Sequence, residues 1–269
     1  MRFKNILIGV VKSERIVEAT KYTLLLFPNA VYHIVAVAPK LRSRVKLTSL
    51  YDKTMKRIAE DAIAMVEIIL LQEKVLAIRK VLLEGDPAKK ILEYAENNPI
   101  DLLVISSAVS ATPPPGIIGS TAKKIISKSS KPVLVYTPLS TTPSDSIRNI
   151  LLVANKPSER EITKMLDVVS TIAKEFNAYV FAYTIGNKDI ASVIKKRLED
   201  LRLNHKIMEP TKENKENIEA EVLELTRNVD LVIINKTKAL EEKIPILKYH
   251  VSSLCKSLAG LSGSPVIIV

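Results

Sequence analysis

At 269 residues, 47% of them apolar and only 7 of them glycine, the chain excludes a disordered or low-complexity protein. It has room for one large domain or two of ordinary size, each able to bury a core. A formal charge of +11 invites nucleic acid, yet the lysines and arginines are scattered through both halves, with no arginine-rich arm, zinc-finger spacing or aromatic-interleaved basic strand. We therefore expect no nucleic-acid partner and a generally basic surface that favours anionic small molecules. No apolar run approaches the thickness of a bilayer, so no membrane span is expected. The N-terminus MRFKNILIGVV enters a strand pattern directly, without a small-residue cleavage site, and a cytoplasmic location is the expectation.

Ile6–Val10 is a β-branched strand pattern, and Ser13 then caps a helix that runs to Phe27 and stops at Pro28. Val31–Val37 is the second strand. A polar basic loop, Pro39–Thr48, leads into a long helix from about Leu50 to Gln72, with Ile58, Ala62, Met65, Ile69 and Leu70 on or near one face. Ala77–Leu83 makes a third strand. Gly85 then turns the chain, Asp86 caps, and Pro87 takes a first helical position that needs no N–H donor. That helix ends by Asn97-Asn98-Pro99.

The stretch Asp101–Tyr136 organises the rest. It has an apolar run, Leu102–Ile105, a loop with three successive prolines, a short amphipathic helix opened by Gly119-Ser120-Thr121, and a fifth apolar run, Val133–Tyr136. A helix start preceded by glycine and carrying hydroxyls aims backbone N–H groups and the positive end of the helix dipole outward, which favours phosphate. Gly119–Thr121 is thus the best anion site in the chain, with plain capping by Ser120 or Thr121 as the alternative. Five apolar strands separated by helices mean parallel β-α-β units in a doubly wound sheet. In such a sheet the ligand crevice lies beyond the C-terminal ends of strands one and four, here Val11 and Ser106.

Pro138–Ser146, PLSTTPSDS, reads as a linker, after which the same order returns. Asn149–Ala154 is strand-like, Ser158–Phe176 helical, Ala178–Thr184 strand-like, Asp189–Leu201 helical, and His205–Met208 a short strand. The polar segment Glu209–Asn214 precedes a helix to Arg227, then Leu231–Ile234, a helix near Leu247–Leu258 and a last strand, Val266–Val269. The halves echo each other: Lys4-Asn5-Ile6-Leu7-Ile8 matches Arg148-Asn149-Ile150-Leu151-Leu152, Asp101–Ile105 matches Asp230–Ile234, and Lys131-Pro132-Val133 matches Ser264-Pro265-Val266. This is an internal duplication with a period a little over half the chain. It divides the chain into residues 1–138, a linker at 139–146, and residues 147–269.

Both halves resemble universal stress protein domains, and the whole chain resembles the tandem, two-domain form of that family. The residues that carry the resemblance are ILIGV at the start, Asn29-Ala30 before strand two, Val37-Ala38-Pro39 at its end, Glu84-Gly85-Asp86-Pro87-Ala88, and DLLVI followed by GSTAKK and KPVLVY. The resemblance implies an α/β fold of two tandem doubly wound parallel five-stranded sheets, Rossmann-like and adenine nucleotide alpha hydrolase-like. It also implies domains that pair through their fifth strands, here Val133–Tyr136 and Val266–Val269, as an internal pseudo-dimer open to further homodimerisation.

The family's nucleotide-binding members carry a loop of two glycines, then glycine with Ser or Thr, and these positions fall on Ser106, Val109, Gly119 and Ser120. Spacing and the last two elements survive, while the first two glycines are lost, and Val109 resists the close backbone approach that glycine allows. The family's acid at the end of strand one falls on Val11, and Val37 matches the apolar position that lines the purine. Pro113–Pro115 stiffen the loop that wraps the phosphates. The second half keeps no glycine, with Asn155 at the strand-one position and Asn235, Lys238, Lys248 and Tyr249 in the loop pattern; it is expected to hold no such site and to serve structurally. Lys236 and Lys238 are read as lysines that keep this loop soluble, with anion contact as the alternative.

Enzyme signatures are missing. Gly119-Ser120 lacks the Walker lysine, no G-x-S-x-G or H-E-x-x-H occurs, the HIGH and SGG signatures of related folds are absent, and His33, His205 and His250 are isolated. The single Cys255, in a helical pattern, is read as a buried structural thiol, so no metal site is expected. Glu84 and Asp86 imitate a catalytic pair but read better as a helix start. One glutamine, no tryptophan and many Lys, Glu and Ile resemble heat-adapted composition. Two readings follow. One is a stress or regulatory protein binding ATP or AMP weakly, with no essential cofactor, at Val11, Val37, Ser106, Gly119, Ser120 and Thr121. The other is a ligand-free interaction protein that docks a partner such as a transporter or an enzyme. A slow ATP hydrolase is a distant third.

Overall fold

Neighbouring residues on a strand point to opposite faces of a sheet, so a strand buried on both faces must be apolar throughout. Leu102, Leu103 and Val104 meet this demand, all fully buried in the computed structural model. The structure describes residues 3–10, 14–40, 48–106, 118–143, 145–186, 188–211, 215–236 and 252–269. Val11, Ser13, Val109, Pro113–Pro115, Lys238, the stretch from Leu247 through Tyr249, and His250 lie outside the described residues.

The chain divides into two units, with the boundary between Tyr136 and Thr137. The first contains β1 (Asn5–Val10), α1 (Glu14–Leu26), β2 (Val31–Ala38), α2 (Thr48–Gln72), β3 (Ile78–Glu84), α3 (Pro87–Asn97), β4 (Leu102–Ser106), α4 (Ser120–Lys128) and β5 (Val133–Tyr136). Its strands are all parallel, in the order β3-β2-β1-β4-β5. On β2, Tyr32 donates its hydroxyl to Phe27 O at the end of α1 (2.8 Å), whereas the next residue, His33, meets Tyr94 of α3. Because adjacent side chains diverge, α1 and α3 cover opposite faces, α1 packing with α2 and α3 with α4.

The second unit repeats this plan with β6 (Asn149–Asn155), α5 (Glu159–Phe176), β7 (Tyr179–Ile185), α6 (Lys188–Asp200), β8 (His205–Met208), α7 (Lys215–Leu225), a 3₁₀ turn (Thr226–Asn228), β9 (Leu231–Ile234), α8 (Ser253–Leu261) and β10 (Val266–Ile268). The strand order is β8-β7-β6-β9-β10, again parallel. The fold is thus two tandem doubly wound sheets. Ahead of β6, Thr137 donates its hydroxyl to Ser262 O (2.6 Å) and its N–H to the buried Ser140 (3.1 Å), so this segment starts as a hydrogen-bonded turn.

Local chemistry explains several boundaries. Asp86 accepts the N–H of Lys89 (2.9 Å) and caps α3, with Pro87 as the first helical residue and Gly85 at φ +129°. In α5, Ser158 and Glu161 form a reciprocal capping box, and Asn177 closes the helix in the left-handed region at φ 52°. Cys255 is fully buried on α8, and burial pushes its thiol up to about 12, which makes it inert. Among the described residues no helix is long and apolar enough to cross a membrane.

The duplication extends to single hydrogen bonds. One carboxylate oxygen of Asp101 accepts the N–H groups of Lys4 (2.8 Å) and Asn5 (2.9 Å), and Asp230 does the same for Arg148 and Asn149 (both 2.8 Å). Before β5, Ser129 donates to Lys131 O (2.8 Å); before β10, Ser262 donates to Ser264 O (2.6 Å). Asp101→Ala and Asp230→Ala each strand two amides at a strand start, and urea unfolding is expected to show a loss of roughly 1–2 kcal/mol for either.

Candidate functional site

In the first unit the strands β1, β2 and β4 end around a cavity of about 280 Å³, roofed by the first turns of α3 and α4. Its walls are mostly apolar: Val10, Val37, Ile105, Pro87, Ile91 and Ile125. Gly9 shapes this space. A Cβ at that position would lie 3.2 Å from Ile91 Cδ1 and 3.6 Å from Val104 O, so a larger residue would force Ile91 aside and disturb the cavity.

The polar side is α4. Gly119 is its N-cap at φ −55°, ψ 148°, with no side-chain hydrogen bond to the helix N–H groups; Ser120 and Thr121 are the first helical residues. Capping by either hydroxyl, the alternative reading of the sequence, is therefore corrected: the cap is a residue without a side chain. An added Cβ at Gly119 would meet nothing within 4 Å, and its φ is negative, so glycine is required here by neither fit nor strain. What it does is bring no side chain of its own to the front of the helix. Amides in the first turn of an uncapped helix seek an acceptor, and the dipole favours an anion.

Of the residues singled out from the sequence, Val37, Ser106, Gly119, Ser120 and Thr121 all line this one cavity, and Val11 lies outside the described residues. Ser106 pairs with Tyr136 at the end of β4. Its hydroxyl is buried and has no hydrogen-bond partner among the described residues, a costly state for a polar atom. Sequence reasoning gave no cavity role to Gly9, Val10, Pro87, Ile91 or Ile105. The available signal was Gly9 itself, an isolated glycine inside an otherwise apolar strand, which marks a close approach.

Charge frames the opening. Asp86 pairs with Lys124 of α4 at 3.2 Å, and its carboxyl is held below the usual range first by the Lys89 N–H and then by Lys124. Lys40, just past β2, pairs at 2.5 Å with Glu84, the last residue of β3, which lowers the Glu84 carboxyl and raises the Lys40 ammonium. Residues 1–136 hold 21 Lys and Arg against 12 Asp and Glu, while residues 137–269 hold 19 against 17. The excess positive charge is therefore concentrated in the half that has the cavity.

At the corresponding strand ends of the second unit, polar groups pair with one another. Asn155 at the end of β6 donates its N–H to Asn235 Oδ1 (2.9 Å), and Asn235 Nδ2 donates back to Asn155 O (3.0 Å). Asn235 is fully buried. The α8 start is capped by Ser252, whose hydroxyl accepts the Cys255 N–H (3.1 Å). Lys236, read from sequence as a solubilising lysine, is instead half-buried; burial pulls its ammonium down to about 8, opposed in part by Cys255 and aided, least of the three, by Lys164.

The chain matches the family model described as the universal stress protein family over residues 2–137. No curated protein sequence matches it. Among solved structures it is similar to a universal stress protein from Archaeoglobus fulgidus, with 16% identity, a TM-score of 0.72, and coverage of 99% of this chain and 96% of that one. A functionally unknown protein from Pseudomonas aeruginosa has 11% identity and a TM-score of 0.62, with 99% and 92% covered. At these identities the likeness is one of fold, and it spans both halves. Asn235→Ala removes both bonds of the staple at the half-buried Asn155 and opens space at a fully buried side chain; chemical denaturation should show a loss of about 2 kcal/mol.

Proposed function

This chain belongs to the universal stress protein family, and on that premise we propose that it is a regulatory protein whose first unit binds an adenine nucleotide, ATP or AMP, with modest affinity. The observation that carries the reading is the uncapped start of α4 opening on a cavity whose walls include Val37, Ile91 and Ile105. A planar base is accommodated by the apolar walls, and a phosphate by the N–H groups of the first turn of α4. The positive excess of the first half adds long-range attraction for an anion. Modest affinity follows from what the lining lacks: among the described residues it contains no carboxylate to hold ribose hydroxyls, and Ser106 stands where close backbone approach would need glycine. No catalysis is assigned to the chain; nucleotide occupancy is its signal.

A second reading, a ligand-free interaction protein, is favoured by the Asn155–Asn235 staple, which leaves the second unit with a purely structural or docking role. The two readings separate on one variant. Ser120→Pro removes one amide at the first helical position, where proline is tolerated, and the extended Gly119 suits a residue before proline.

Mass spectrometry of the denatured protein should detect an adenine nucleotide, and calorimetric titration of the emptied protein with ATP and AMP should give saturable binding. Ser120→Pro should weaken that binding about fivefold to tenfold with little change in thermal stability. An empty protein that gives no heat with millimolar ATP or AMP would leave the interaction reading in its place.

A further inference from the structure

The face of the first sheet that carries α3 holds a polar group with no role in the cavity. His33, in the middle of β2, is fully buried. Its Nδ1 lies 2.8 Å from the hydroxyl of Tyr94 on α3, and the two rings meet edge to face with centroids 5.8 Å apart. Its other nitrogen, Nε2, is buried with no partner among the described residues. In either neutral tautomer only one ring nitrogen is a donor, so the Tyr94 contact is satisfied and one nitrogen is left over. Protonation makes both nitrogens donors and places a charge in the core.

The surroundings offer that charge nothing. On β1 the residue in register is Leu7; on β3 it is Arg79, a cation; on α3 it is Tyr94. Burial first, and Arg79 second, hold the imidazole below its ordinary range. The Tyr94 phenol is held above its own ordinary range by burial. His33 is therefore a neutral pin between β2 and α3 at neutral pH.

The pin sits under the helix that walls the cavity. Ile91, one turn before Tyr94, is the side chain that closes against Gly9, and Pro87 begins the same wall. We propose that His33 and Tyr94 form a proton-sensitive latch, so that acidification loosens α3 from the sheet and opens the α3 wall of the cavity. Protonated, Nδ1 can still donate to the Tyr94 hydroxyl, but the ring then carries a buried charge and a second N–H, on Nε2, with no acceptor among the described residues, and that cost falls where β2 meets α3. The link to ligand affinity rests on the nucleotide reading of the cavity; the loosening of α3 does not.

The direction with pH is fixed by the lowered value. Above the unfolded value of 6.5 the imidazole is neutral in both states and its contribution to stability is complete. Below it the unfolded chain takes up a proton that the folded chain resists, so stability declines until the folded value is passed. Hydrogen exchange of the ligand-free protein, corrected for intrinsic rates, should show the Ile91–Ala95 amides opening about tenfold more readily at pH 5 than at pH 7.5. His33→Phe should abolish that increment, and His205→Asn should preserve it.

In the unaltered protein, the His33 ring signals followed by NMR should titrate below the range of a free imidazole. Titration of His33 in the ordinary range, or equal acid sensitivity of α3 in His33→Phe, would overturn the latch, and the NMR result decides the matter even if that variant does not fold. A separate titration with AMP at the two pH values reads the coupling: weaker binding at pH 5 that His33→Phe removes supports it. An acid-sensitive α3 in a protein that binds no nucleotide would retain the latch and discard the ligand.

Discussion

Each unit depends on one carboxylate at the base of its central strands. Asp101 binds the first two amides of the β1 edge, Asp230 those of the β6 edge, and each adds a backbone bond to the facing strand through its own N–H. A shift of one residue in β1 would carry its whole apolar set to the wrong face. The clamp holds that register from below, and β1 with β4 is the pair at which the order of connection reverses. By fixing where these strands begin, Asp101 also fixes where they part, and that parting is the cavity.

The two units differ at the other end of the same strands. In the first, Gly9 keeps the strand surface low, the Ser106 hydroxyl has no partner among the described residues, and the N-cap of α4 is a glycine with no side chain. In the second, two asparagines eighty residues apart satisfy each other's amides, and Ser252 supplies the cap that Gly119 does not. A helix start and a pair of strand ends always present polar groups. Among the described residues, the second unit satisfies more of these groups internally than the first does. The charge difference between the halves follows the same division.

Much of this was legible in the sequence because it is local. The apolar runs of β1, β4 and β5, the Asp86-Pro87 start of α3 and its stop at Asn98-Pro99 are written in consecutive residues, and the strands appear within a residue or two of expectation. Gly119 was legible as a helix start, but the capping alternative at Ser120 or Thr121 failed because the residue before them had already taken that position. The Asn155–Asn235 staple and the His33–Tyr94 contact were not legible. Their partners are separated by whole β-α-β crossovers, and a polar residue in an apolar strand does not announce which helix will cover it. The same holds for Ile91, whose helical spacing marks a buried face without revealing that Gly9 lies beneath it.

The loss of two glycines and an acid from the family pattern has a physical consequence that depends on what each group contributes. A carboxylate that holds a ribose is a side chain, and a single substitution removes it together with its hydrogen bonds. The phosphate anchor is different, because it consists of backbone amides that any residue except proline supplies. Since Gly119 brings no side chain to cap α4, substitutions elsewhere in the pattern leave that helix start as it is. In the second unit the N-cap serine occupies that end, and the first turn is satisfied from within. The plainest difference between the two units at this end is therefore the cap on one short helix, glycine in the first and serine in the second. Gly119, where an added Cβ would meet no described atom within 4 Å, is the residue through which the first unit differs most plainly from the second at this end.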